Sequence, residues 1–350
     1  MSVKTKERRY DVDGLRVIAI GLLIIYHVAI CFQPWGGMIG FITAKKFWPE
    51  LWWPMSMLNV WRIPLLFLLS GMGVYFSMQS RSWSGLLLER TKRILLPFLF
   101  GLFVIVPVHL YVRQAYYDSD YVYHADPGHL WFLANIFIYV LLVLPLIYVL
   151  KKNENSTRLE GILKRISSPI LLLIPAILLV VEVGILQPRP FELYARTNHG
   201  FVLGLICFLA GMVIAAGGNA LKNKIVNMRY LWLVPAMLFF LIRMKVIVLY
   251  LPDWVVAVES YLWMLTLLSF GGKYLSAKNN TIRYLSEAAY PVYILHMIFL
   301  YLGAFLFFDL NINAPLQFVL LVLFTLASCM ITYEAIRRVK WLRPLFGLKW

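Results

Sequence analysis

Charge is scarce in this chain. Asp, Glu, Lys and Arg make up 14% of its 350 residues, where a soluble domain carries about a quarter. The difference is filled by apolar residues, which reach 61% and come in long blocks. That pattern excludes a soluble globular protein and points to a polytopic membrane protein. Cysteine is nearly absent. Cys31, Cys207 and Cys329 each stand in an apolar stretch, with no CxxC and no Cys/His cluster, so neither a disulfide framework nor a zinc or other metal site is expected. Acidic residues number only 17 against 33 Lys and Arg, for a net charge of +16. A surplus of that size suggests nucleic acid until its distribution along the chain is considered.

Apolar runs long enough to cross a bilayer fall near 15–32, 54–79, 94–112, 130–150, 169–186, 201–217, 230–250, 255–271, 289–308 and 315–334. The expected fold is therefore all-α, a transmembrane bundle of about ten helices, with residues 1–350 as one membrane domain because every hydrophilic stretch is only loop-sized. If the N-terminus is cytoplasmic, only Lys45, Lys46, Arg113, Arg189, Arg196, Arg243 and Lys245 fall on the far side, Arg62 lies inside a span, and every other Lys and Arg collects on the near side. The positive-inside rule then puts both termini in the cytoplasm. The basic surplus is a topology signal, and no nucleic-acid partner is expected. A basic N-terminus before an apolar run imitates a signal peptide. Asp13 and Arg16 interrupt the start of the run and no small-residue cleavage site follows it, so an uncleaved first span is expected.

Against this apolar background a few polar residues stand out. Arg16 and His27 are eleven residues apart, close to three helical turns, so they share one face with roughly 16 Å between them along the axis. Ionisable groups inside a membrane are costly and mark functional sites. Asp13, three residues before Arg16, can pair with it. A neutral imidazole can take a proton from a hydroxyl, which makes His27 a candidate general base; the alternative is a buried histidine bonded to a neighbouring helix. Arg90 and Arg93, three apart before the third span, can clamp phosphates with their guanidinium forks, or simply flank the span as basic residues do. Arg62, Glu182, Glu259 and His296 are further polar residues within spans. Arg62 and Glu182 both fall in the outer half with His27, where pairing would lower the cost of each. His129, Trp131 and His199 read as membrane-interface residues. The segment QAYYDSDYVYHADPGH between the third and fourth spans suits either a polyhydroxyl ligand or an interfacial aromatic belt.

Taken together, these residues resemble the acyltransferase-3 family of integral membrane O-acyltransferases. RRYDVDGLRVIAIGLLIIYH resembles the family's first helix, with its spacing of Arg16 to His27. RIPLLFLLSGMGVYF, around Ser70 and Gly71, is similar to the second-helix segment, ERTKRILLP to the Arg-x-x-Arg element at Arg90 and Arg93, and HLWFL and AAYPVYILH to later motifs. The resemblance implies a standalone membrane enzyme without an esterase-like extension. It implies transfer of acetyl or succinyl from a cytoplasmic acyl-CoA, acetyl-CoA or succinyl-CoA, to a hydroxyl of a glycan or other cell-envelope acceptor, in the plasma (inner) membrane. Carried over, His27 is the catalytic histidine, Arg16 its motif partner, and Arg90 and Arg93 bind the donor near its phosphates. The start RYDVDGLRVIAI and FLLSGMGVYF are similar to the branch that includes periplasmic-glucan succinyltransferases. The competing expectation is a proton-coupled transporter or flippase of a polar or lipid-linked substrate, which would use the same intramembrane charges.

Overall fold

The computed structural model describes residues 8–152, 172–245 and 251–349. These form helices α1 (Tyr10–Ile30), α2 (Trp52–Met78), α3 (Trp83–Tyr116), α4 (Trp131–Lys152), α5 (Ile174–Leu186), α6 (Asn198–Ala216), α7 (Gly218–Asn227), α8 (Arg229–Lys245), α9 (Asp253–Tyr274), α10 (Asn280–Phe307) and α11 (Ala314–Arg338), with no strand among the described residues. Eight helical segments are long and apolar enough to cross a membrane, and α7 with α8, bent by 56° at their junction, makes a ninth if counted as one span. The apolar run expected near 169–186 yields α5, whose 13 residues cover roughly 20 Å, short of the hydrocarbon core; residues 169–171 of that run, like 246–250 of the run near 230–250, lie outside the described residues. The chain is thus an all-α, multi-pass membrane protein. Its apolar residues point outward as well as inward: Leu231, Val234, Leu238 and Leu241 on α8 are exposed at helical spacing, the pattern of a lipid-facing surface.

Helix starts follow local chemistry. Ser82, Thr197, Asn279 and Asn313 cap α3, α6, α10 and α11, each side-chain oxygen accepting a hydrogen bond from the backbone N–H three residues on. In α2, Pro64 has no N–H for the carbonyl of Val60, four residues earlier. That carbonyl instead accepts from the hydroxyls of Tyr194, at 3.0 Å, and Ser260, at 2.9 Å. The proline therefore ties α2 to α9 and to the 187–197 loop. α3 contains two π-helical turns, Thr91–Leu95 and Gly101–Ile105, and such turns recur at functional sites.

The packing of α2 against α6 depends on glycine. A Cβ at Gly71 would lie 1.9 Å from the Phe208 carbonyl oxygen, and one at Gly211 would lie 1.9 Å from that of Leu68. Backbones this close let van der Waals contact replace a hydrophobic drive that lipid cannot provide. Gly211→Leu is therefore expected to prevent assembly, seen as loss of the monodisperse peak in detergent size exclusion. Gly21→Ala, where nothing lies within 4 Å, should leave that peak in place.

The loops sort into two ends. At one, Lys45 pairs with Asp309 at 2.7 Å, Lys46 with Asn311 at 3.1 Å, and Arg196 with Asp126 at 3.0 Å. At the other, Asp11 pairs with Arg9 at 2.8 Å and Lys222 at 2.9 Å, and Arg93 reaches the carbonyl of Gly347 at 3.3 Å. Sequence segments assigned to opposite sides by charge thus meet their own side's segments.

Candidate active site

Two polar centres stand at different depths of the same bundle. The deeper one is built on His27 of α1. Its Nδ1 lies 2.8 Å from Nε2 of His296 on α10, and the two rings stack with centroids 5.1 Å apart. The Nδ1 of His296 in turn lies 2.7 Å from the carbonyl oxygen of Tyr293. A carbonyl only accepts, so His296 Nδ1 carries the proton and its Nε2 is the lone pair. His27 must then donate from Nδ1, which leaves His27 Nε2 unprotonated. That nitrogen makes no hydrogen bond within the described residues, and His27 keeps partial exposure while His296 has none. The ring is further held by Phe41, centroids 5.6 Å apart, and by Tyr26, at 5.9 Å.

His27 is bonded to a neighbouring helix, as one reading of the sequence has it, and that bond leaves its second nitrogen unoccupied, as the other reading requires. One nitrogen is fixed by another helix and the other is free. His129, assigned to the membrane interface from its place at the head of a span, instead lies against His296 with ring centroids 4.9 Å apart. Its Nε2 donates to the Ile294 carbonyl at 3.1 Å, and its own carbonyl accepts from the Tyr293 hydroxyl. His109 of α3 extends the row, 5.6 Å from His129. His199 likewise turns inward. It is buried, with Nδ1 2.7 Å from Glu182 and Nε2 2.8 Å from the Phe191 carbonyl. Trp131 is partly buried, its ring 6.2 Å from that of Phe67. Arg62 and Glu182, whose meeting the sequence leaves open, do not pair: Glu182 is bonded to His199. Glu259 is taken by Arg243, which donates to it through Nε at 2.7 Å and Nη2 at 2.9 Å.

The second centre gathers arginines at the end that carries the N-terminus. Asp13 accepts from Arg16 at 3.3 Å, the pair expected from their spacing, and from Arg8 at 2.6 Å. Arg90 donates to the Gly73 carbonyl at 3.3 Å, and a Cβ on that same glycine would lie 3.8 Å from Arg16 Nη2. Arg16 and Arg90 therefore converge on one point of α2. Glu89 holds Arg90 and Arg93 together, with ionic contacts of 3.1 and 3.2 Å. Arg16 thus belongs to the arginine centre and shares no contact with His27. Neither centre could be assembled from spacing alone, because His27 and His296 are 269 residues apart and Gly73 carries no side chain to signal its role.

Helix α10 connects the two. Tyr290, Tyr293 and His296 occupy successive turns, with about 9 Å of rise from Tyr290 to His296. The Tyr290 hydroxyl is buried without a hydrogen-bond partner; its ring stands beside Gly347, the residue that Arg93 bonds.

Comparison with curated proteins and with solved structures finds no significant match. The family comparison does find one. The Acyltransferase domain model of the acyltransferase-3 family matches residues 9–334, nearly the whole chain, so the protein belongs to this family of membrane acyltransferases and not to the transporters or flippases that the same charges would have suited.

Proposed function

We propose that the protein transfers an acetyl or succinyl group from cytoplasmic acyl-CoA to a hydroxyl of a glycan or similar envelope acceptor, working in the inner membrane with both termini cytoplasmic. The observation that carries the reading is the His27–His296 pair, which presents one unprotonated, unbonded nitrogen inside the bundle. A positioned base of this kind is what acyl transfer to a hydroxyl needs. His27 Nε2 takes the acceptor proton as the acceptor oxygen bonds to the thioester carbonyl carbon. The carbonyl oxygen receives the displaced electron pair. Collapse reforms the carbonyl and breaks the carbon–sulfur bond, and the departing sulfur takes the proton back from His27. Ester and free coenzyme A thiol result, and His27 is regenerated. His296 supports the imidazolium through its Nε2 lone pair, as the orienting partner does in other base dyads.

Donor handling falls to Arg90 and Arg93, whose guanidinium groups suit phosphates, with Arg16 beside them at Gly73. The separation of Arg16 from His27 along α1 lets a charged nucleotide stay at the membrane surface while its thioester arm reaches the histidines. For the acceptor, a cleft of about 320 Å³ opens at the opposite end between Gly37, Arg113, Gln114, Tyr117 and Ser119. Arg113 Nε and Gln114 Oε1 are buried there without partners, free polar groups of the kind that hold a polyhydroxyl ligand.

The test is direct. In proteoliposomes or sealed vesicles supplied with labelled acetyl-CoA or succinyl-CoA and envelope glycan extract, label is expected in the glycan fraction. Inverted vesicles should consume external donor, whereas right-side-out vesicles should not. Absence of both donor binding and thioester consumption with every extract would overturn the proposal.

A further inference from the structure

Arg62 is a costly side chain to leave as it is. It is 2% exposed, and its Nε and Nη1 are buried with no hydrogen-bond partner. No carboxylate among the described residues lies within ion-pair distance of it. Glu182 is bonded to His199, Glu259 to Arg243, and Glu192 lies 3.9 Å from Arg243. Burial pushes the Glu192 carboxyl above its ordinary range, which weakens it further as a counter-charge. What holds Arg62 is an aromatic face: its Cζ lies 3.7 Å from the centroid of Tyr26, whose ring centroid is in turn 5.9 Å from that of His27. A cation–π contact offsets only part of the desolvation of a guanidinium. An orphaned buried charge beside the reacting base calls for a partner that arrives with the substrate.

We infer that Arg62 binds an anionic oxygen of the acyl group being transferred, and so is a further catalytic residue of the site. This rests on the acyl-transfer reading above. Two oxygens carry that chemistry. One is the thioester carbonyl oxygen, which becomes negative when the acceptor attacks. The other is the terminal carboxylate of a dicarboxylic acyl group such as succinyl. With Tyr26 joining Arg62 to His27, either oxygen held by Arg62 has a second cation nearby once His27 has accepted its proton. For the thioester oxygen the stabilisation arises only as His27 becomes charged, which is the condition for lowering a barrier; for the carboxylate, anionic throughout, it is present from binding onward and tightens binding.

The variants are Arg62→Gln and Arg62→Lys, assayed in proteoliposomes with both donors. If the oxygen is the developing oxyanion, Arg62→Gln lowers kcat with acetyl-CoA and succinyl-CoA alike, by about 100- to 1000-fold, with KM little changed, and Arg62→Lys recovers part of the loss. If it is the terminal carboxylate, Arg62→Gln raises KM for succinyl-CoA and spares acetyl-CoA. Unchanged turnover of both donors overturns the inference. A second measurement does not depend on turnover. In detergent without donor, Arg62→Gln should melt at or above the wild type, because it removes an unpaired charge, and added sodium succinate or acetate should raise the melting temperature of wild type only. A lower melting temperature for Arg62→Gln, with equal carboxylate response in both proteins, would make Arg62 a packing residue and sink the inference. Should wild type consume neither donor, the acyl-transfer reading fails by that result, while the carboxylate titration still decides whether Arg62 binds anions.

Discussion

His27→Ala is expected to lower turnover by about 100- to 10,000-fold, the usual contribution of a positioned general base, while leaving donor binding within a few-fold of wild type. The two effects separate because His27 stands deep in the bundle and the arginines proposed to bind the donor stand at its end. His296→Phe should cost less than His27→Ala. It removes the acceptor that orients His27 Nδ1 but leaves the ring of His27 in place against Phe41 and Tyr26. Without His296, the tautomer with its lone pair on Nε2 is no longer selected, so a fraction of molecules presents an N–H where the base is needed. The double variant should be hardly worse than His27→Ala alone, since residues that act as a unit do not contribute additively. Thioester release with labelled acetyl-CoA and succinyl-CoA measures all three. If His296→Phe matched wild type while His27→Ala did not, the orienting role would be lost and the base retained. Full activity in His27→Ala would remove the mechanism.

How much of this was legible beforehand differs between fold and site. Apolar run length marked the positions of the helices, because a bilayer imposes one length on every span. Where the run fell short, as in α5, length alone could not say whether the helix crosses. The Asp13–Arg16 pair was readable because both residues sit on one helix at known spacing. His27 was readable as an expensive residue in an apolar setting, and Arg90 with Arg93 as two cations on one helix. Their partners were not. Contacts between α1 and α10 join residues far apart in the chain, and one sequence carries no signal of which helices touch. The same limit explains why Arg62 and Glu182, matched by depth and charge, turned out to have different neighbours. The partners of His129 and His199 are hidden for a related reason. Their places at the heads of spans gave depth but not direction, and both turn inward, where buried polar groups require partners.

Arg90→Ala combined with Arg93→Ala is expected to weaken donor binding by about 100- to 10,000-fold, as two charge-assisted contacts of about 1.5–3 kcal/mol each are lost, with less change in kcat once donor saturates. The fold should persist, because each side chain holds a single backbone carbonyl and shares one carboxylate. Arg90 donates to the Gly73 carbonyl, Arg93 to that of Gly347, and Glu89 contacts both. Arg93, with its side chain 46% exposed, has the freer reach for a phosphate at the surface. Arg90, at 16%, is held inward beside Arg16. Glu89 explains how the two guanidinium groups tolerate each other when no phosphate is present, since its carboxylate touches both. The double lysine variant, Arg90→Lys with Arg93→Lys, separates charge from geometry. It keeps both positive charges but loses the planar forks, so a donor read bidentately binds it poorly, while one attracted only by net charge binds it nearly as well as wild type. Salt gives the complementary reading. Contacts exposed at the membrane surface are screened, so donor affinity of wild type should fall as ionic strength rises, and that of the double alanine variant should fall less. Equal affinity of wild type and double alanine variant for acetyl-CoA, measured by equilibrium binding in detergent, would move the donor site away from these two arginines altogether.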